Sequence, residues 1–432
     1  MRVSPIAVLS QPITFPNSGL TATNRFLKSA MTERLCTFND EDPTDLESRG
    51  QVTKEYEELY RVWGEGQIGV IVLGNLPIQR EGLEAKKNMI IDKDNHWDVV
   101  EQLKPVIKNA KAHGSLCIGQ LTHGGRQTSE DIVKTPVSSS DVQAPPMGGM
   151  TFGKPRPLTI EEIDDLVDRW AFGAEVLYKA GADGCQLHGA HGYLLSQFLS
   201  SRVNKRTDDY GGPLENKARI VFRVIDEIKK RVPAARTGGG YMISMKLNSA
   251  DFSEGGFTGD ESKIICQQLE AAGVDLIELS GGTYESLSQG GFAHLKESTK
   301  KRESFFIEFA EQVRPTLKKS VLCVTGGFRS AKGMAEAIDG NACQIVGLAR
   351  PLCFEPYLCR ALLAGKAERA RENKVPNAMQ TPAAVIQIGA IATNKPIPDL
   401  SDEKVAKDVQ DMITGGGKKE EKPHKEQDVS YY

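Results

Sequence analysis

The chain has 432 residues, a length that allows two or three average domains or one large α/β barrel. Hydrophobic residues make up 39% and charged residues 26% of it, which is typical of a globular protein with a packed core. The net charge of −3 favours neither nucleic acid nor an acidic membrane as a partner, and in the absence of an apolar run of about 18 residues we expect no membrane span.

The amino-terminal residues and the cysteines together indicate a compartment. Residues Met1 to Gln11 contain prolines and lack the basic and then apolar pattern of a secretory signal. The eight cysteines are scattered, several of them inside apolar runs, which is typical of reduced and buried thiols. They form no tight pair of the kind that holds zinc or an iron–sulfur cluster. We therefore expect a cytoplasmic protein without a bound metal.

Short apolar runs alternate with longer amphipathic runs along most of the chain, the pattern of repeated β-α units and a parallel sheet. A hairpin is predicted first, at Pro12–Leu20. Eight strands are predicted after it, at Arg25–Ala30, Gly69–Gly74, Leu116–Leu121, Gly184–His188, Met242–Leu247, Leu276–Ser280, Val321–Thr325 and Gln344–Gly347. The predicted helices are Lys54–Trp63, Trp97–Ala112, Ile160–Ala180, Leu214–Arg231, Ser262–Ala272, Glu303–Leu317, Ala331–Ile338 and one that begins near Pro356.

Eight strands that are each followed by a helix predict a single-domain (β/α)8 TIM barrel over residues 1–370, with the hairpin closing its bottom. A doubly wound sheet is the competing fold, but no Gly-x-Gly-x-x-Gly follows the first strand. Thr159 followed by Glu162 predicts a capped helix start. Residues 371–414 are predicted to be a partly helical extension with a docked helix at Gln380–Ala392, and the charged residues 415–432 a disordered tail.

The segment His188-Gly-Ala-His191-Gly-Tyr193 follows a predicted buried strand. Two imidazoles and a phenol where a strand ends can hold a carbonyl oxygen and deliver a proton. A zinc site is one alternative, although a metal needs three or four ligands and no Cys or Glu cluster lies nearby. The other alternative is a pair of histidines that only pins a loop.

The carboxyl ends of the other predicted strands are polar, rich in glycine and almost free of carboxylates. In a barrel these ends meet at one active-site mouth. The scarcity of carboxylates argues against a two-carboxylate glycosidase and a divalent-metal hydrolase. The segments are Ser29–Thr32, Gly74–Asn75, Gln120–Arg126, Lys246, Ser280–Gly282, Thr325–Arg329 and Gly347–Arg350.

The last two strand ends lie where barrels bind phosphate. Gly326 and Gly327 would let backbone N–H groups approach an anion, and Arg350 would add a bidentate fork, although Gly-Gly can equally make a tight turn. Gln120, as donor and acceptor, suits the edge of a pyrimidine-like ring. Lys246 would place positive charge where a reduced flavin is negative, or it could be a salt-bridge partner or a solvated charge.

These motifs resemble the Old Yellow Enzyme family of FMN-dependent NAD(P)H oxidoreductases, over about Pro12 to Leu363. The resemblance is most specific in the His188–Gly212 run, which includes Arg206-x-Asp-x-Tyr-Gly-Gly212. It implies that His188 and His191 hold the carbonyl of an α,β-unsaturated substrate while Tyr193 donates a proton. It also implies that FMN is held by Ser29, Ala30, Thr32, Gly74, Gln120, Lys246, Gly327, Ala349 and Arg350.

Two positions depart from the pattern of many relatives. Lys246 stands where many carry Arg, which keeps the charge but loses the planar fork. Thr32 occupies a position that is Cys in one branch and Thr in another, so a hydroxyl would donate to the flavin O4 edge. Two alternatives stay open, another FMN-dependent barrel oxidoreductase and a barrel scaffold that has lost catalysis.

Overall fold

The computed structural model describes residues 4–147, 149–235, 239–251, 254–280, 307 and 309–415. Eight parallel strands close into a barrel in which each strand pairs with the next in sequence and the last pairs with the first. The predicted (β/α)8 barrel is therefore confirmed. The strands are β1 (Phe26–Lys28), β2 (Val70–Pro77), β3 (Leu116–Thr122), β4 (Gly184–Gly189), β5 (Met242–Asn248), β6 (Leu276–Ser280), β7 (Val321–Thr325) and β8 (Ile345–Leu348).

Helices surround the barrel and continue beyond it. The α-helices that lie wholly within the described ranges are Pro5–Leu9, Lys54–Gly64, Val99–Lys111, Ile160–Lys179, Leu194–Leu199, Leu214–Arg231, Gly259–Ala271, Ala331–Asp339, Pro351–Phe354, Leu358–Leu363, Gln380–Ala392 and Glu403–Ile413. Single 3₁₀ turns lie at Gly125–Gln127, Pro233–Ala235, Arg314–Thr316 and Asn377–Met379. None of these helices has the length and apolar character needed to cross a membrane.

Every second residue of a strand faces the lumen of the barrel, so the inward-facing positions can be followed from one end of the barrel to the other. Its amino-terminal half is an apolar cluster that includes Leu27, Val72, Ile118 and Leu276. The fully buried Phe15 belongs to the same cluster and comes from the predicted hairpin. That hairpin pairs Ile13–Thr14 with Thr21–Ala22. The next inward positions toward the carboxyl ends of the strands are polar, so the candidate site begins where the apolar core ends.

Helix starts follow local capping chemistry. Thr159 and Glu162 form the predicted reciprocal capping box at the start of Ile160–Lys179. A second box, between Thr258 and Glu261, starts the helix predicted at Ser262–Ala272 three residues earlier, at Gly259. The sequence interpretation missed this box because it took the apolar periodicity as the helix start.

The ends of β1 and β2 differ from the predictions. Strand β1 is shorter than the predicted Arg25–Ala30, whereas β2 continues past Gly74 to Pro77. The pairing of β2 with β3 shifts register between Leu73 and Leu76, and Gly74 has φ +94° at that irregularity. A glycine tolerates this left-handed backbone without a steric penalty, so it allows the strand to bend and continue.

After the barrel, the helix at Gln380–Ala392 is found where the sequence predicts it. A further helix at Glu403–Ile413 was not predicted; Asp402 caps it through two backbone N–H groups. Residues 303–306 and 308 of the helix predicted at Glu303–Leu317, and residues 416–432 of the predicted tail, lie outside the described residues. Of the remaining residues of that predicted helix, 309–313 are helical and Arg314–Thr316 form a 3₁₀ turn. The division of the chain at residues 370 and 414 stays a prediction.

Candidate active site

Three neighbouring strands bring a histidine, a lysine and a glutamate to one level of the lumen. His188 of β4 pairs in register with Lys246 of β5, and Lys246 pairs with Glu278 of β6. Gln120 of β3 and Gln186 of β4 are register partners two residues nearer the amino-terminal half. Register partners in parallel strands share a face, so these five side chains occupy two successive inward positions and form a polar layer at the end of the barrel where active sites are built.

The two histidines lie in a chain of four polar groups. His188 Nδ1 is 3.1 Å from Thr122 Oγ1, His188 Nε2 is 3.1 Å from His191 Nδ1, and His191 Nε2 is 2.9 Å from Ser280 Oγ. A neutral imidazole has one N–H and one acceptor nitrogen, so the chain has two possible proton orders. When Thr122 donates to His188, both rings carry their hydrogen on Nε2.

Both imidazoles are held in the neutral form. Burial lowers the pKa of His191 to about 3, helped by the charge of Lys246, which outweighs the opposing effect of Glu278. Burial, the neighbouring His191 and Lys246 together lower the pKa of His188 well below its ordinary value. Each ring therefore offers one N–H donor at pH 7 and no positive charge.

The backbone of His191 is held in an uncommon conformation. Its φ is +61°, in the left-handed region that non-glycine residues seldom adopt, and Gly192 follows with φ +80°. Asn248 Oδ1 accepts the backbone N–H of His191 at 3.1 Å, and Gln127 Nε2 donates to its carbonyl at 3.1 Å. Two side-chain amides, one from the end of β5 and one from the 3₁₀ turn after β3, thus hold the peptide groups that orient the imidazole.

Tyr193 completes the predicted trio. Its ring lies 4.6 Å from that of His188 between centroids, and the side chain is buried. The residue immediately precedes the short helix Leu194–Leu199, whose start fixes the direction of the chain after Gly192. The structure thus brings His188, His191 and Tyr193 together at the carboxyl end of β4.

Lys246 has a buried ionic partner, one of the roles that the sequence left open. Its Nζ lies 3.0 Å from Oε1 of Glu278 and donates to Ser29 Oγ at 2.6 Å. Gln120 Nε2 donates to Gln186 Oε1 at 2.7 Å, and Gln186 Nε2 donates to Glu278 Oε2 at 2.9 Å. Three predicted cofactor residues are therefore joined through one carboxylate.

The predicted phosphate loops have the backbone that close approach of an anion requires. Gly326 and Gly327 follow β7 with φ +142° and +83°, where a side chain would be strained. A Cβ on Gly347 of β8 would lie 1.8 Å from Thr325 Oγ1, so the two strand ends meet closely. Arg350 follows β8, and its Nη1 donates to Gln380 Oε1 at 2.6 Å.

The remaining predicted cofactor residues lie around the ends of β1, β2 and β8. The backbone N–H of Ser29 donates to Leu348, and that of Gly74 donates to Glu33 and to Tyr60 Oη. Ala30 and Ala349 lie just beyond the paired strands β1 and β8.

Thr32 differs from the expectation in its hydrogen bond. Its hydroxyl donates to Asn88 Oδ1 at 3.0 Å, and Asn88 donates in turn to Asn75. A contact of Thr32 with a flavin edge stays a prediction.

Sequence reasoning missed the residues that hold the predicted ones in place. Glu278 lies at an inward position inside an apolar strand, two residues before the strand end, and only strand ends were considered. Alternation within β6 would have found it. Asn248 ends β5 and could have been found in the same way. Gln380 has no local signal, because its contact with Arg350 joins the barrel to the carboxyl-terminal extension.

The donor set fits FMN. Glycines with left-handed φ and an arginine suit a phosphate, Gln120 can both donate and accept, and Lys246 supplies a cation. Among the described ranges, no group of three or more His, Cys, Asp or Glu side chains could hold a metal ion.

Comparisons with known proteins identify the family of the chain. Residues 8–369 match the model of the NADH:flavin oxidoreductase / NADH oxidase family. The NADH-dependent flavin oxidoreductase nadA of Aspergillus parasiticus is 38% identical over 416 residues, which cover 94% of this chain and 89% of that protein.

Two solved structures share the fold. The Old Yellow Enzyme homologue of Zymomonas mobilis superposes with a TM-score of 0.67 at 21% identity, covering 86% of this chain and 98% of that one. A 2-naphthoyl-CoA reductase gives 0.74 at 23% identity and covers 94% of this chain, which spans only 58% of that longer protein. The chain therefore belongs to the NADH:flavin oxidoreductase / NADH oxidase family and is an FMN-dependent NAD(P)H oxidoreductase.

Proposed function

We propose that this chain reduces the electron-poor C=C bond of α,β-unsaturated carbonyl compounds. The observation that carries the proposal is the contact of two neutral imidazoles, 3.1 Å apart at the mouth of the barrel, with Tyr193 beside them. Such a pair suits a carbonyl oxygen, because it offers two N–H donors without a competing positive charge.

The proton order of the four-group chain supports this use of the pair. When Thr122 donates to His188, both Nε2–H groups point along the chain toward Ser280. A carbonyl oxygen that accepts both hydrogens replaces the bond between the rings and the bond to Ser280. Each donor exchanges one partner for another, so no buried N–H group is left unsatisfied.

The proposed roles divide the reaction between this chain and its cofactor. The chemistry that FMN would supply here is hydride donation, for which the β-carbon of the alkene is the acceptor. His188 and His191 stabilise the negative charge that grows on the carbonyl oxygen, the kind of interaction that contributes most in many enzymes. Tyr193 gives its phenolic proton to the α-carbon. Lys246 and Gln120 would hold the cofactor ring, and Arg350 and the Gly326–Gly327 turn would hold its phosphate.

Phenol binding tests the proposal directly. A phenol that binds as its anion on the two imidazoles should stack on the flavin and give a long-wavelength charge-transfer band. We expect this band when para-hydroxybenzaldehyde is titrated into the holoenzyme. His188→Ala and His191→Ala should each weaken the band and slow alkene reduction about a hundredfold or more, since an oxyanion donor contributes about 2.7–4 kcal/mol.

The control is His113→Ala, which removes an exposed histidine just before the amino-terminal end of β3, at the opposite end of that strand from the site. All variants should keep stoichiometric FMN. The proposal is wrong if wild type gives no band, or if both site variants retain it with unchanged affinity.

A further inference from the structure

A fully buried carboxylate lies at the centre of the polar layer. Oε1 of Glu278 accepts hydrogen bonds from Ser29 Oγ at 2.6 Å and from Thr325 Oγ1 at 2.7 Å. The same oxygen lies 3.0 Å from Lys246 Nζ, and Oε2 accepts from Gln186 Nε2 at 2.9 Å. Four side chains, from β4, β5, β7 and the residue that follows β1, thus converge on one residue whose exposed fraction is 0%.

Each partner of Glu278 is a predicted cofactor residue or lies next to one. Ser29 and Lys246 are predicted to contact FMN, and Gln186 holds the side chain of Gln120. Thr325 immediately precedes the Gly326–Gly327 turn. The carboxylate therefore connects the predicted pyrimidine edge of the cofactor site with its predicted phosphate end.

Glu278 also decides how much charge the site presents. Burial alone would raise its pKa, but the charge of Lys246 and the hydroxyl groups of Ser29 and Thr325 hold that pKa below its ordinary value. The carboxylate is therefore ionised, and it faces the ammonium of Lys246 at 3.0 Å. Opposite charges this close act at a distance as a dipole, so much of the field of Lys246 is cancelled.

We propose that Glu278 is a positioning residue that holds Lys246 and Gln186 and, by neutralising Lys246, keeps the reduction potential of bound FMN lower than Lys246 alone would set it. A reduced flavin carries more negative charge than an oxidised one, so an unneutralised cation favours the reduced form. This inference depends on the assignment of Lys246 and Gln120 to FMN and is independent of the proposed alkene chemistry.

The test measures the two-electron midpoint potential of bound FMN. Glu278→Gln keeps the shape and the hydrogen-bonding oxygen but removes the charge. We expect this variant to raise the affinity for reduced relative to oxidised FMN at least tenfold. For a two-electron couple, that change is a rise of about 30 mV in the midpoint potential. Lys246→Met leaves the carboxylate unpaired and should shift the potential in the opposite direction by a similar factor.

The double variant Glu278→Gln with Lys246→Met distinguishes an effect of the two charges on the FMN potential from a general loss of structure. It contains no lone buried charge, so it should fold and bind FMN even if a single variant does not. The midpoint potential of its bound FMN should return to within about 14 mV of the wild-type value. This corresponds to about a threefold change in the ratio of the affinities for reduced and oxidised FMN. A double variant as low in potential as Lys246→Met alone would overturn the proposal.

Asp92→Asn is the matched control. Asp92 is also a buried carboxylate in ion pairs, with Arg80 and Arg169, but it is outside the polar layer. This variant should lower the melting temperature and leave the FMN potential unchanged. If Glu278→Gln likewise changes only the melting temperature, and its affinity for reduced relative to oxidised FMN changes less than twofold, Glu278 is structural and the proposal is wrong.

Discussion

Arg350 Nη1 donates a hydrogen bond of 2.6 Å to Oε1 of Gln380, which joins the end of the last barrel strand to the helix Gln380–Ala392. Gln380 is oriented in turn by donating to the carbonyl of Val375 at 3.1 Å. The family model ends at residue 369, so this partner of the predicted phosphate-binding arginine comes from the carboxyl-terminal extension.

Replacing either partner should weaken cofactor binding. A hydrogen bond to a charged group contributes about 1.5–3 kcal/mol, so Arg350→Ala should weaken FMN binding about 10- to 150-fold and purify largely without FMN. Gln380→Ala should cause a smaller loss, because the arginine is still present but less well oriented. Quenching of FMN fluorescence measures both affinities.

The matched control for Gln380 is Gln387→Ala. Gln387 is a buried glutamine of the same helix that donates to Pro398 instead. Unchanged FMN affinity in Gln380→Ala, or an equal loss in both glutamine variants, would contradict a specific role of the extension at the phosphate.

Tyr193→Phe should separate the two half-reactions. Removal of the hydroxyl takes away the proposed proton donor while the ring stays packed against His188. Reduction of FMN by NAD(P)H should be preserved, and reoxidation by an enone should become slower by about 10²–10⁴-fold, the usual contribution of a positioned acid. Stopped-flow absorbance follows each step. Tyr241→Phe removes a buried phenol outside the site and should change neither rate; equal damage to both steps in Tyr193→Phe would indicate a role in holding the cofactor.

Two glycines test the conformation at His191. Gly181 and Gly192 have φ of +91° and +80°, so alanine at either position costs about 1–2 kcal/mol of backbone strain. A Cβ on Gly181 meets nothing within 4 Å, whereas one on Gly192 would lie 2.4 Å from Gln127 Oε1. Gly192→Ala should therefore displace Gln127 from the His191 carbonyl and weaken the phenol band, whereas Gly181→Ala should lower only the free energy of unfolding. Equal phenol affinity in the two variants would show that Gln127 does not aim His191.

His123 should make the fold sensitive to acid. Its Nδ1 accepts the Gly125 backbone N–H, so its hydrogen lies on Nε2, which faces Gln79. Burial, with the charge of Arg169, lowers its pKa to about 3. Below pH 6.5 His123 binds a proton in the unfolded chain, whereas in the folded chain it stays neutral down to about pH 3. The contribution of neutral His123 to the free energy of unfolding is therefore complete above pH 6.5 and is lost as the pH falls toward 3.

From pH 8 to pH 5 wild type should lose about 2 kcal/mol more unfolding free energy than His123→Gln. Urea denaturation at the two pH values measures this difference. Equal losses in the two proteins would mean that His123 is protonated in the fold at pH 5.

The parts of the site that sequence predicts well are the local ones. His188, His191 and Tyr193 lie within six residues of one another, so the end of one strand and one turn suffice to bring them together. Contacts between distant segments escape this kind of reasoning. Ser29 meets Glu278 across 249 residues, and only closure of the barrel decides that β1 and β6 point their side chains at the same place.

The chain from Thr122 through His188 and His191 to Ser280 gives the mouth of the barrel a property that no single residue has. Each neutral ring carries its hydrogen either on Nδ1 or on Nε2, and it donates this hydrogen to the neighbouring group on that side. The tautomer of one ring therefore constrains the tautomer of the next. A ligand that takes a hydrogen at the Ser280 end therefore determines which nitrogen of His188 is protonated, two groups away. Ligand binding at Ser280 can thus change the tautomer of His188 by a rearrangement of hydrogens alone, without displacement of a heavy atom.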